Sequence, residues 1–202
     1  STQSRSSAAS DVYKRQTMNS EEIFFRGTLE CCIFPKTGYP PMDIESWLEI
    51  LRKAKACGLN HLRFHSWCPP EAAFQAADRM GMMFQIEGPF WTHTISQDPD
   101  LDTYILVECD RILRAYGNHP SFCLMAYGNE PGGKQYKQVL SALVERWKEQ
   151  DPRHLYTCAS GWPMADGNQY HVTPSPRVHH WGEALKSRFN SEPFSSSADY
   201  AD

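Results

Sequence analysis

Short apolar runs alternate with longer stretches of helical periodicity, and this alternation narrows the folds open to the chain more than any other feature. Apolar runs occur at Leu29 to Phe34, His61 to Ser66, Met82 to Glu87, Phe122 to Gly128 and Leu155 to Ala159. A shorter sixth follows at Gln169 to Val172. Between them lie stretches from Asp43 to Cys57, Pro70 to Gly81, Asp98 to Tyr116 and Gln135 to Gln150. In the first, Ile44, Trp47, Leu48, Leu51 and Ala54 recur at the spacing that lines one face of a helix. Asp43 can cap its start, and Gly58 can end it in a left-handed turn. Asp98-Pro99 is a cap followed by a first-turn proline, and Gly81 and Gly117 close the second and third helices.

Strand–helix alternation of this kind builds a parallel sheet. A doubly wound open sheet would carry a Gly-rich phosphate loop after its first strand. Here Pro35-Lys-Thr-Gly-Tyr-Pro-Pro41 follows instead. The expected fold class is therefore α/β, a partial (β/α)8 TIM barrel holding about strands 1 to 5 or 6, with disordered termini. Residues 1–22, rich in Ser, Ala and Gln, read as a disordered, non-native leader. Residues 23–190 read as the partial barrel, and residues 191–202 as a truncated, irregular tail.

Composition excludes some partners. The formal net charge is −4 and no basic stripe is visible, which argues against nucleic acid. No apolar run is long enough for membrane insertion. None of the seven cysteines forms a C-x-x-C pair, and their apolar surroundings suggest buried thiols acting as small hydrophobes.

Side chains alternate across a strand. In the second run, Leu62 and Phe64 share one face, leaving His61, Arg63 and His65 on the other. In the third, Phe84 and Ile86 oppose Gln85 and Glu87. The apolar faces should meet helices, so polar groups gather inside the barrel near the carboxyl ends of its strands. That is where barrel sites form. Trp67, Trp91, Tyr127 and Trp162 sit at or just after strand ends, as an aromatic wall for a sugar ring would.

The fourth run, Ser121-Phe-Cys-Leu-Met-Ala-Tyr-Gly-Asn-Glu130, ends by presenting an amide beside a carboxyl. A carboxyl there is costly unless it has a task or a partner. Strict alternation would send Asn129 and Glu130 to opposite faces. Both reach the interior only if the strand bulges or turns, which the dihedral freedom of Gly128 would allow. Glu87 has two readings: a second catalytic carboxylate, or a buried glutamate bound to Arg63 or a backbone donor.

Gly58-Leu-Asn-His-Leu-Arg-Phe-His65, Gly81-Met-Met-Phe-Gln-Ile-Glu87 and Ala126-Tyr-Gly-Asn-Glu130 together resemble the barrel domain of glycoside hydrolase family 2. That family includes β-galactosidases, β-glucuronidases and β-mannosidases. The resemblance spans Phe25 to Arg188 and implies a retaining exo-β-glycosidase acting on O-glycosidic bonds. It assigns Glu130 as general acid/base and Asn129 as the residue that hydrogen-bonds the sugar 2-hydroxyl. It sets Arg63 beneath the nucleophile, His65 nearby, and Trp91, His93 and Trp162 among substrate contacts. It implies a carbohydrate partner and no cofactor, and leaves open the oligomeric state, the sugar, and whether the compartment is periplasm or cytoplasm. In that family pattern the nucleophile falls beyond residue 202, and neither Glu183 nor Glu192 is assigned that role. The chain is thus expected to be a fragment carrying the acid/base without its partner, and inactive alone. Two alternatives stand beside this: a non-catalytic carbohydrate-binding relative, and a metal-dependent barrel hydrolase built on His61, His65, His93 and His171.

Overall fold

The structure, a computed structural model of the 202-residue chain, describes residues 16–18, 21–161, 165, 167–170 and 172. These divide into two compact units. One contains a small antiparallel hairpin of β1 (Gln16–Met18) and β2 (Glu21–Ile23). Three-residue strands are too short for a period-two pattern, so sequence periodicity gives no sign of this hairpin, most of which falls in residues 1–22, read above as a disordered leader.

The other unit, Phe25–Gln169, carries the expected alternation. In order it contains β3 (Gly27–Glu30), α1 (Ile44–Ala56), β4 (His61–Phe64), α2 (Glu71–Met80) and β5 (Met83–Glu87). Then follow α3 (Pro99–Tyr116), β6 (Phe122–Ala126), α4 (Tyr136–Gln150) and β7 (Leu155–Thr157). The strands form one parallel sheet in the order β3-β4-β5-β6-β7, an arc of a (β/α)8 barrel in which sequence neighbours pair.

Local chemistry explains the helix ends. The Asp43 carboxylate accepts from the Ser46 amide at 2.8 Å, and Asp98 accepts from Asp100 and Leu101 at 3.1 and 3.2 Å. Gly81 closes α2 in the left-handed conformation. The outward faces of the strands, including Leu62, Phe64, Phe84 and Ile86, are buried with Trp47, Leu51, Phe74 and Trp147 of the helices. Ala72, Ala73, Ala76 and Ala77 make one side of α2 small, which lets it pack closely.

Several expectations need correction. The first strand is Gly27–Glu30 rather than Leu29 to Phe34, because its register is set by pairing Gly27 with His61 and Glu30 with Phe64. Ile33 ends up exposed in the following loop. Only Cys109 and Cys158 are buried thiols; Cys31, Cys32 and Cys57 are exposed, since they fall in a loop and at a helix end. Tyr127 lies outside the barrel, stacked on Phe90 at 5.5 Å, and is fully buried. The cause is an irregularity between β5 and β6: Phe84 pairs with Phe122, but Gln85 pairs with Leu124. The extra residue inverts the facing of everything after it. Trp67 is also core packing, edge-on to Phe64 at 5.3 Å, with its indole N–H donating to the Glu30 carbonyl. Trp162, His171, Glu183 and Glu192 lie outside the described residues, so the run Gln169 to Val172 is described only in part. No described helix is long and apolar enough to cross a membrane.

The turn between α3 and β6 carries a charged clamp. His119 lies between Asp78 (2.6 Å) and Glu71 (3.1 Å) of α2, its ring stacked on Phe74. Desolvation opposes its protonation, but hydrogen bonds to Asp78 and then Glu71 outweigh this and raise its pKa. A histidine with a raised folded pKa stabilises fully below the unfolded value, about 6.5, and loses that contribution as pH rises through the folded value. Urea titrations should therefore show unfolding free energy falling from about pH 6.5 upward more steeply in the wild type than in His119→Gln. Equal slopes would contradict the clamp.

Candidate functional site

Register decides what faces the barrel interior. Arg63 pairs with Leu29 and Gln85, Gln85 with Leu124, and Leu124 with Leu155, so these form one inward layer. Glu87, Ala126 and Thr157 form the next, toward the carboxyl ends. Arg63, Gln85 and Glu87 face inward as their alternation in sequence predicts, and Thr157 joins them without having been singled out.

At the centre lies Glu87, fully buried. Its Oε1 accepts from Arg63 Nε at 2.5 Å, Gln85 Nε2 at 3.0 Å and Ser160 Oγ at 2.5 Å. Its Oε2 accepts from the Ser66 backbone amide at 2.7 Å and Arg63 Nη2 at 3.3 Å. The two-atom grip of Arg63 is the paired geometry that a guanidinium offers a carboxylate. Of the two readings for Glu87, this is the ion-paired one. A catalytic carboxylate needs lone pairs directed at a substrate, and these are committed.

Arg63 also holds the amide. Its Nη2 donates to Asn129 Oδ1 at 2.7 Å, and Asn129 is buried. The Asn129 backbone amide donates to the Phe90 carbonyl at 2.9 Å. The next residue turns sharply: Glu130 has φ +41°. A non-glycine residue held there costs on the order of 1–3 kcal/mol, and such strain concentrates at functional sites. Its N–H donates to the Ser160 carbonyl at 2.7 Å, and its half-buried side chain lies against Gly161. The turn that brings Asn129 and Glu130 to one end is therefore at Glu130 itself. Gly128 contributes differently from the expectation, since its φ is not positive. A Cβ there would lie 2.2 Å from the Phe90 carbonyl oxygen, so glycine is needed for close approach.

Two loops continue the pairing beyond β5 and β6. The Gly132 amide donates to the Thr92 carbonyl at 2.9 Å, and the Ile95 amide to the Gly132 carbonyl at 3.1 Å. This brings the segment with Trp91 and His93 alongside the segment with Glu130. Trp91 is 59% exposed and meets the His65 ring edge-on at 5.3 Å. His65 Nδ1 lies 3.1 Å from Ser66 Oγ. His93 is exposed and packs beside Gly132. His61 is buried at the start of β4, where desolvation lowers its pKa to about 4. Among the described residues no three His, Cys, Asp or Glu side chains are grouped to hold a metal ion.

The sequence reading did not single out Ser160, whose hydroxyl and backbone both enter the site. It lies just beyond the fifth apolar run, and a serine there carries no spacing signal.

The described strands and helices of Phe25–Gln169 form an arc of a parallel (β/α)8 barrel whose polar side chains meet at the strand ends. Solved structures agree. The chain is similar to β-glucuronidase 3 of Bacteroides uniformis, at 19% identity and a TM-score of 0.61 over 69% of this chain and 19% of that one. It is similar to the β-glucuronidase of Parabacteroides merdae, at 17% and 0.61 over 69% and 19%. It is also similar to a GH2 β-galacturonidase of Eisenbergiella tayi bound to galacturonate, at 19% and 0.65 over 73% and 27%. The chain thus spans between 19% and 27% of the length of these proteins. Comparison with protein-family models and with curated proteins gives no match. What these structures share with the chain is the fold.

The Arg63–Glu87 pair makes a stability prediction. Arg63→Met leaves a buried carboxylate without its cation and should cost about 3–5 kcal/mol in urea denaturation. Combining it with Glu87→Leu should recover much of that loss, because the uncompensated charge is gone. A double variant as unstable as the sum of the singles would contradict the pairing.

Proposed function

We propose that this chain is part of a retaining exo-β-glycosidase and carries its general acid/base, Glu130. The observation that supports this most is the left-handed turn that sets the Glu130 carboxyl beside a buried, hydrogen-bonded Asn129 at the carboxyl ends of the strands. A retaining glycosidase uses two carboxyl groups about 5 Å apart. One protonates the departing oxygen while the other attacks the anomeric carbon. The first, now ionised, then activates water.

In this reading Glu130 supplies and recovers the proton. Asn129 has its Oδ1 committed to Arg63, which leaves Nδ2 to donate to a sugar hydroxyl. Trp91 offers an exposed ring face for the apolar side of a sugar, with His65 behind it and His93 on the adjoining segment. Trp162 is carried as a substrate contact on the resemblance alone. Glu87 is not the nucleophile, since five hydrogen bonds hold it. That role falls to a carboxylate outside the described residues. The substrate is a β-linked carbohydrate, and the uronidase neighbours make uronides the first to try.

Glu130→Gln in the full-length protein should lower turnover of alkyl β-glycosides by roughly 10²–10⁴-fold, the usual worth of general acid catalysis. Aryl glycosides with activated leaving groups need no proton and should suffer less in kcat/KM. Wild-type turnover of alkyl glycosides by this variant would contradict the assignment. Sugar binding without turnover by the wild type would favour a non-catalytic relative.

A further inference from the structure

We infer that Ser160 and Gly161, on the segment after β7, are positioning residues that seat the Glu130 carboxyl, an inference that rests on reading Glu130 as the acid/base. Ser160 is fully buried and holds four groups at once. Its backbone amide donates to the Gly128 carbonyl at 2.9 Å, and its carbonyl accepts from the Glu130 amide at 2.7 Å. The Asn129–Ser160 bridge therefore continues the parallel pairing of β6 and β7 past the strand ends. Its hydroxyl donates to Glu87 Oε1 at 2.5 Å and accepts from Gln85 Nε2 at 2.9 Å. The residue that grips the backbone of Glu130 is thereby anchored to the most buried carboxylate of the barrel.

Gly161 supplies the space. A Cβ at this position would lie 2.5 Å from Glu130 Cγ and 3.4 Å from Oε1. The Glu130 side chain thus occupies volume that any other residue would fill. Gly161 also has φ +103°, which favours glycine. Ser160 sets the height and direction of the Glu130 backbone, and Gly161 admits the side chain against it. Proton transfer requires hydrogen-bond reach of the glycosidic oxygen, so a seat that shifts by a fraction of an ångström reduces catalysis before it disturbs sugar binding. Neither residue reaches the substrate in this account; both act through Glu130.

The test uses the full-length protein, with Ser160→Ala, Gly161→Ala and Glu130→Gln compared in parallel. Substrates are the methyl and 2,4-dinitrophenyl β-glycosides of glucuronic acid, galacturonic acid, galactose and mannose, taking whichever sugar the wild type turns over. The expected result is a roughly 10- to 100-fold fall in kcat/KM for the methyl glycoside in Ser160→Ala, with the dinitrophenyl glycoside little changed. A loss of folded protein lowers both substrates equally, so the ratio isolates positioning from stability. Gly161→Ala should shift the ratio further, and where it does not fold, Ser160→Ala decides. An unchanged ratio in Ser160→Ala, with Glu130→Gln still impaired, would overturn the positioning inference alone. An unimpaired Glu130→Gln, or no turnover of any of the four sugars, would overturn the acid/base reading instead.

Discussion

The site depends on one buried carboxylate. Glu87 is fully removed from water, and an ionised group there is tolerable only when its lone pairs are met. The donors that meet it come from two strands and from the segment after a third. Arg63 and Ser66 come from β4 and its end, Gln85 from β5 itself, and Ser160 from the segment after β7. Arg63 then reaches across to Asn129. A single charge therefore fixes the relative positions of the carboxyl ends of three strands and the segment that follows a fourth. Alternative registers would leave it unpaired, which makes the arrangement specific as well as stable.

The strained turn at Glu130 follows from that frame. A half-buried glutamate with φ +41° is unfavourable in isolation. It persists because its neighbours hold it on both flanks, Asn129 on Phe90 and Glu130 on Ser160. Glycines at 128 and 161 remove the two side chains that would collide with these contacts. The same turn lays the Glu130 side chain against Gly161. The buried hydrogen bonds gather around Glu87, and the strained backbone lies at Glu130.

Much of this was legible in the sequence, because it rests on local rules. Asp43, Asp98 and Gly81 mark helix ends through capping chemistry that needs only neighbours. Arg63, Gln85 and Glu87 declare their facing through period-two alternation. What was hidden depends on tertiary register. One extra residue between Phe122 and Leu124 inverts the facing after it and moves Tyr127 from the expected sugar wall into the core. Trp67 is drawn away by Phe64, three residues before it, and by the Glu30 carbonyl, which is distant in sequence. Ser160 and Gly161 acquire meaning only when the segment after β7 lies beside Glu130, and no local pattern announces that.

The most direct test of the account is a crystal structure of the full-length protein with a thio-linked β-glycoside bound. The account requires a Glu130 carboxyl oxygen within about 3 Å of the linking sulfur, and Asn129 bonded to a hydroxyl of the same sugar. A Glu130 carboxyl turned to bulk solvent, with the sugar held elsewhere, would contradict it.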